Sequence, residues 1–160
     1  VYRGGAINVI DYYENTGFGL DHYAEVLRKK DYHYGDHLAP HDIEIRELGS
    51  GKSRMETAFS LGIRFKVVSK MKIADGINAA RLLFPKCYFD RDKCHIGLEM
   101  MKQYRQEWDE KKKRFRDQPR HDYTSHAADA FRYLAIGVNN RKSYTRPPQA
   151  VADNSYNIFA

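Results

Sequence analysis

Three absences narrow the problem before any motif is read. No apolar run approaches the roughly 20 residues needed to cross a bilayer, and the mean hydropathy is -0.73, so the chain is expected to be soluble. Nothing near Val1 has the charged-then-apolar pattern of a secretory leader. Cysteine is scarce: Cys87 and Cys94 are the only two. Their spacing matches no zinc pattern, and they read as a reduced intracellular pair and not as a disulfide. What the chain does carry is positive charge. A net charge of +6 over 160 residues, spread through folded-looking sequence, favours a polyanionic partner, nucleic acid before membrane. With 42% hydrophobic residues the chain can bury one core, and one domain is the default.

In order, Ala6–Ile10 reads as a strand continuing toward Glu14 and stopped by Asn15-Thr16-Gly17. Residues 19–30 form an amphipathic helix with Leu20, Tyr23, Ala24 and Leu27 on one face and basic residues at its end. Residues 31–38 are a linker rich in Tyr and His. A second strand is expected over 41–48, where Ile43 and Ile45 alternate with Glu44 and Arg46, with Asp42 at its beginning after Pro40. Gly49-Ser50-Gly51-Lys52-Ser53 imitates a phosphate-binding loop, but the glycine that such a loop needs, separated from Gly51 by four residues, is not there: that position is Arg46. Ser53 instead reads as the cap of a helix over 54–61, with Glu56 completing a capping box. Lys52 and Arg54 are candidates for phosphate contact or for plain solvated charge.

Residues 63–68 alternate as a third strand, and Asp75-Gly76 leads into a helix over 77–84 with Ile77, Ala80, Leu82 and Leu83 turned inward. Cys87–Phe89 is a short extended segment. A further helix runs from Asp92 to Trp108, and the charge run of 107–116 reads as its solvated end or a loop. Pro119 and Asp122 open a last helix whose body is 127–138, with Ala127, Ala130, Phe131, Leu134, Ala135 and Val138 on one apolar face. Residues 139–160 read as an extended or disordered tail.

Alternating strands and helices make this an α/β domain with a mixed sheet. Asp129 lies among small residues of the last helix, where an ionised carboxylate needs compensation; a divalent metal and a neighbouring Arg132 or Arg81 are both open to it. Asp42 is the other carboxylate placed near a strand. Converging carboxylates hold Mg²⁺ or Mn²⁺, and two such ions about 4 Å apart activate water against a phosphodiester. Asp122 is open to two roles, helix start and metal ligand. His41, His121 and His126 stand near these acids. Arg81 and Arg105 are open to DNA contact or to ion pairing with Glu99 or Glu107. The tyrosines of 12–13 and 32–34 suit base stacking or a half-buried core.

Pro40-His41-Asp42, a glycine-containing loop with Ser53-Arg54, Asp75-Gly76-Ile77 with Arg81, Tyr104-Arg105 with Trp108, and Ser125-His126-Ala127-Ala128-Asp129-Ala130-Phe131-Arg132-Tyr133 follow one another in the chain. In that order they resemble the carboxy-terminal nuclease domain of the large terminase subunit of tailed bacteriophages and prophages, over nearly all of residues 5–138. The resemblance implies an RNase H-like fold, a mixed sheet flanked by helices, within residues 1–138. It implies a metal-dependent endonuclease that cuts concatemeric phage DNA during packaging, with Asp42 and Asp129 as catalytic and metal-binding residues and two Mg²⁺ or Mn²⁺ ions; Asp122 is the further candidate ligand read from the residues themselves. DNA contact is expected from Lys52, Arg54, Arg81, His121 and His126. The implied partners are double-stranded DNA, the terminase ATPase domain, the small terminase subunit and the portal protein, without membrane, in the cytoplasm of a bacterial host. The family's opening strand, with its Asp, has no counterpart before Ile7. One metal ligand and one central strand are therefore expected to be lacking, and nuclease activity to be weak or absent. The alternative is a non-catalytic DNA- or portal-binding module. Another RNase H-like enzyme, a resolvase or transposase, is disfavoured by the motif order.

Overall fold

In the computed structural model, residues 2, 3 and 5–142 are described. Seven strands and five α-helices follow in the order β1 (Tyr2–Arg3), β2 (Ala6–Val9), α1 (Leu20–Lys29), β3 (His37–Ala39), α2 (Arg54–Ser60), β4 (Phe65–Val67), α3 (Ile73–Leu83), β5 (Cys87–Phe89), α4 (His95–Gln103), β6 (Gln106–Asp109), β7 (Arg114–Pro119) and α5 (Ser125–Lys142). The fold is mixed α/β, and its sheets are small. β2 pairs antiparallel with β1 and parallel with β5, β3 pairs parallel with β4, and β6 with β7 makes an antiparallel hairpin. An apolar cleft of about 620 Å³ lies between β2, α1, α5 and the segment leading into β3, lined by Ile7, Ile10, Leu27, Leu134 and Val138.

The main core is built on α5. Phe131 and Ala135 pack with Ile7 of β2 and Leu83 of α3, and Phe89, Met101 and Val138 close around them. Two glycines permit this closeness. A Cβ on Gly137 would stand 2.4 Å from Leu38 Cδ1, and one on Gly76 would stand 2.6 Å from Arg132 Cδ, both well inside van der Waals contact. Gly97 plays the same part on α4, where an added Cβ would meet the Tyr12 ring at 2.8 Å. A smaller cluster, Ala24, Ala58 and Ile63 with Leu20 and Phe65, joins α1, α2 and β4. Cys94 is buried and Cys87 half-buried: Cys94 donates toward the Val9 carbonyl and Cys87 toward the Leu83 carbonyl, and burial pushes both thiol pKa values up.

Several expectations hold in detail. Ser53 accepts from the Glu56 N–H at 3.1 Å and Glu56 accepts from the Ser53 N–H at 2.7 Å, a complete capping box. The glycine-rich stretch is the turn that delivers this cap: the Glu47 N–H donates to the Lys52 carbonyl, and Gly51 takes φ 64°. Others are corrected. Residues 41–48 are not a strand. The strand is β3, inside the supposed linker, and His41–Glu44 is a 3-10 turn after Pro40; Ile45 is exposed, so its alternation with Ile43 did not mark a buried face. The first long strand ends at Val9. Leu82 is 74% exposed while Leu83 is buried: α3 buries Gly76 and Leu83 on one face, and Leu82, about 100° away, falls on its outer side; the helix also starts at Ile73, one turn earlier than expected. Ala130 is exposed likewise. The fourth helix stops at Gln103, and residues 107–116 belong to the hairpin of β6 and β7, neither a helix end nor an irregular loop. Residues 139–142 are helical, the end of α5; residues 143–160 of the expected tail lie outside the described residues. Among the described residues no helix is long and apolar enough to cross a membrane.

Candidate functional site

The last helix begins with a built turn. Asp122 accepts from the Thr124 N–H and hydroxyl, pairs with Arg120 Nε at 3.1 Å, and its carbonyl accepts from the Ser125 N–H. The Thr124 hydrogen bond, above all, holds the Asp122 carboxyl below the usual carboxylate range, with Arg120 and Arg105 acting the same way. Of the two roles open to Asp122, the structure shows it occupied as a helix-start residue. Ser125 Oγ lies 3.1 Å from His121 Nδ1, and His126 is exposed on the first turn.

One turn further, Asp129 Oδ1 pairs with Arg132 Nη2 at 3.0 Å, so the positive partner its surroundings demand is present within the helix. Arg132 can lie flat against α3 only because residue 76 is glycine. Its guanidinium stands 5.3 Å from the Tyr133 ring centre, and its Nε is buried without a hydrogen-bond partner. Tyr104 shares this neighbourhood: burial first, then the Asp129 charge, raises its phenol pKa.

Between α3, α5 and the end of α4 opens a cleft of about 670 Å³ with Arg81, Arg105 and Arg132 on apolar walls that include Ile77, Phe84 and Phe131. Arg81 and Arg105 make no ion pair among the described residues. Glu99 is taken by Lys102 at 2.6 Å and Glu107 by Arg116 at 2.9 Å. A second groove of about 570 Å³ runs beside the hairpin, where Lys112, Arg114, Arg116, Arg120 and His121 outnumber Glu107 and Asp109. Pro119 borders both spaces, and the Arg120 N–H donates to the Arg105 carbonyl at the hairpin base. Cleft and groove thus share an edge and a sign of charge. Guanidinium groups on a water-accessible apolar floor are suited to phosphate esters, which they grip through forked hydrogen bonds.

Asp42 lies elsewhere. It is exposed on the 3-10 turn after β3 and lines neither space. Its neighbour His41 keeps a buried Nδ1 without a partner. Lys52 stands exposed on the turn before α2, and Arg54, the first residue of α2, is paired with Glu47 at 3.4 Å. Neither lines the basic surface. Of the expected DNA contacts, Arg81 and His121 are brought onto it, and Lys52, Arg54 and His126 are not among its lining residues. The carboxylates have the right chemistry for Mg²⁺ or Mn²⁺. Among the described residues no three His, Cys, Asp or Glu side chains converge on one point. The tyrosines are engaged locally: Tyr12 donates to Glu14, Tyr32 to Asp11, and Tyr13 meets His22 at 2.8 Å.

The residues missed from the sequence are Lys112, Arg114, Arg116 and Arg120; Arg132 reads there only as a partner for Asp129, which it is. For the hairpin the available signal was alternation, Glu107-Trp108-Asp109 facing Arg114-Phe115-Arg116 across a polar turn. No protein-family model matches the chain, and neither does any curated protein or solved structure.

Proposed function

We propose that this chain is a nuclease domain of the phage terminase type, RNase H-like in architecture, acting on double-stranded DNA in the cytoplasm of a bacterial host beside the terminase ATPase domain, the small terminase subunit and the portal. The observation that carries the DNA part is the shared basic surface formed by the Arg81, Arg105 and Arg132 cleft and the Lys112 to His121 groove. Such a surface binds through phosphates and is tolerant of sequence. The catalytic part rests on the motif order and on Asp42 and Asp129 as carboxylates for Mg²⁺ or Mn²⁺. The test is nicking of supercoiled plasmid in Mn²⁺, with Asp42→Ala and Asp129→Ala as controls. Metal-dependent nicking, expected to be weak and lost in both variants, supports the reading; no nicking with either metal by a folded, DNA-binding protein removes its catalytic part and leaves the binding module.

A second reading is favoured by the Asp129–Arg132 pair, which already neutralises the carboxylate. On it the chain is a DNA- or portal-binding module without hydrolytic activity. DNA affinity would then survive Asp129→Ala unchanged and fall steeply with salt.

A further inference from the structure

The hairpin carries an aromatic pair, one ring of which, Phe115, also borders the basic groove. Trp108 and Phe115 are cross-strand partners whose rings meet edge to face, 5.1 Å between centres. They are 43% and 57% exposed, and neither β6 nor β7 packs extensively on any other element. A two-stranded ribbon with one unpartnered aromatic pair is marginal in water by itself. Lys111, Lys112 and Lys113 occupy the turn at one end of the pair, with Lys113 at φ 50°, while Arg114 and Arg116, next to Phe115 in β7, belong to the opposite face of the ribbon with Glu107 and Asp109. Lys113 is paired with Glu110 and Arg116 with Glu107; Lys111, Lys112 and Arg114 make no ion pair among the described residues.

We propose that the Trp108–Phe115 face of the hairpin is a stacking platform for unpaired bases of single-stranded nucleic acid, with Lys111 and Lys112 of the turn holding the adjoining phosphates. Exposed aromatic rings beside free cations are complementary to a chain that alternates π-faces with negative charge. In a duplex those faces are turned inward against one another, so the same platform has less to take hold of. This deepens the nucleic-acid reading above and rests on it. The platform receives strands that have been opened, while the neighbouring groove follows the backbone.

Trp108 is the single tryptophan of the chain, so its fluorescence reports on this face alone. The full chain is titrated with oligothymidylate, with a blunt duplex of equal length and with heparin, and binding is followed separately by anisotropy of labelled ligands. Oligothymidylate is expected to quench Trp108 to saturation, the duplex to quench less, and heparin to bind without quenching. Phe115→Ala should weaken oligothymidylate binding about tenfold and leave heparin binding unchanged. Binding without quenching, or equal quenching by the duplex or by heparin, overturns the platform. Plasmid nicking measured in parallel separates the two ideas. Quenching without nicking keeps the platform and removes the nuclease, nicking without quenching does the reverse, and no binding of any nucleic acid removes both.

Discussion

Helix α5 and the β6–β7 hairpin adjoin in sequence, yet different forces hold them. Helix α5 is fixed by burial: Phe131 and Ala135 sit in the core, and Gly76 of α3 and its own Gly137 bring backbone and side chains closer than any Cβ would allow. The hairpin is fixed by its own ladder, one aromatic pair and exposed ion pairs such as Glu107 with Arg116, each worth at most about 1 kcal/mol. Stability and chemistry are thus divided. The helix supplies a rigid wall, and the hairpin supplies charge on a support that opens at little cost.

The sharpest way to break this contrast is in the core. Phe131→Ala removes the ring that joins Phe84, Phe89 and Leu83, and it should lower the unfolding free energy by about 3–5 kcal/mol in urea denaturation. A loss below roughly 1 kcal/mol would mean that α5 is not the centre of the fold. Gly97→Ala comes next. Its new Cβ meets the Tyr12 ring, which the hydrogen bond to Glu14 keeps from sliding aside. Overpacking outweighs the roughly 1 kcal/mol of helix propensity gained, for a net loss of about 1–2 kcal/mol; equal or higher stability on thermal melting would show that the ring yields.

A smaller, pH-dependent effect belongs to Asp11. Burial raises its pKa, but the Lys30 hydrogen bond and charge with the Tyr32 hydroxyl outweigh this, and the carboxyl is held below its ordinary value. A depressed folded pKa gives stability that is present above the unfolded value near 3.9 and lost as pH falls through the folded one. Asp11→Asn should therefore flatten the fall in urea midpoint between about pH 5 and 3; an unchanged slope would remove this pair from the account. Least of all, Phe115→Ala should leave the global unfolding midpoint within about 0.5 kcal/mol of the parent while hydrogen exchange in residues 106–119 quickens. A large global shift would show that the hairpin and α5 unfold together.

Legibility followed the same division. Where burial and capping act over one turn, the sequence could be read: the Ser53–Glu56 box, the α1 face, the Phe131 and Ala135 stripe. β3 escaped because three residues that pair with a distant strand leave no periodic trace, and residues 41–48 misled because Ile45 alternates without being buried. The hairpin escaped because each strand has few apolar residues among charges, the pattern of a solvated helix as much as of a ribbon. Of the site, Arg81, Arg105 and His121 were found as candidates. The part made by folding, the meeting of cleft and groove at Pro119, was not, because it joins α3, α4, the hairpin and α5, which no local pattern connects.

Cys94 offers a clock on that rigid wall. Cys94 is 2% exposed and its thiol is turned to the Val9 carbonyl, so an alkylating reagent reaches it only when β2 and the start of α4 part. At high reagent concentration the alkylation rate of Cys94, read apart from that of the half-buried Cys87, becomes the opening rate itself, timed at a single atom and without denaturant.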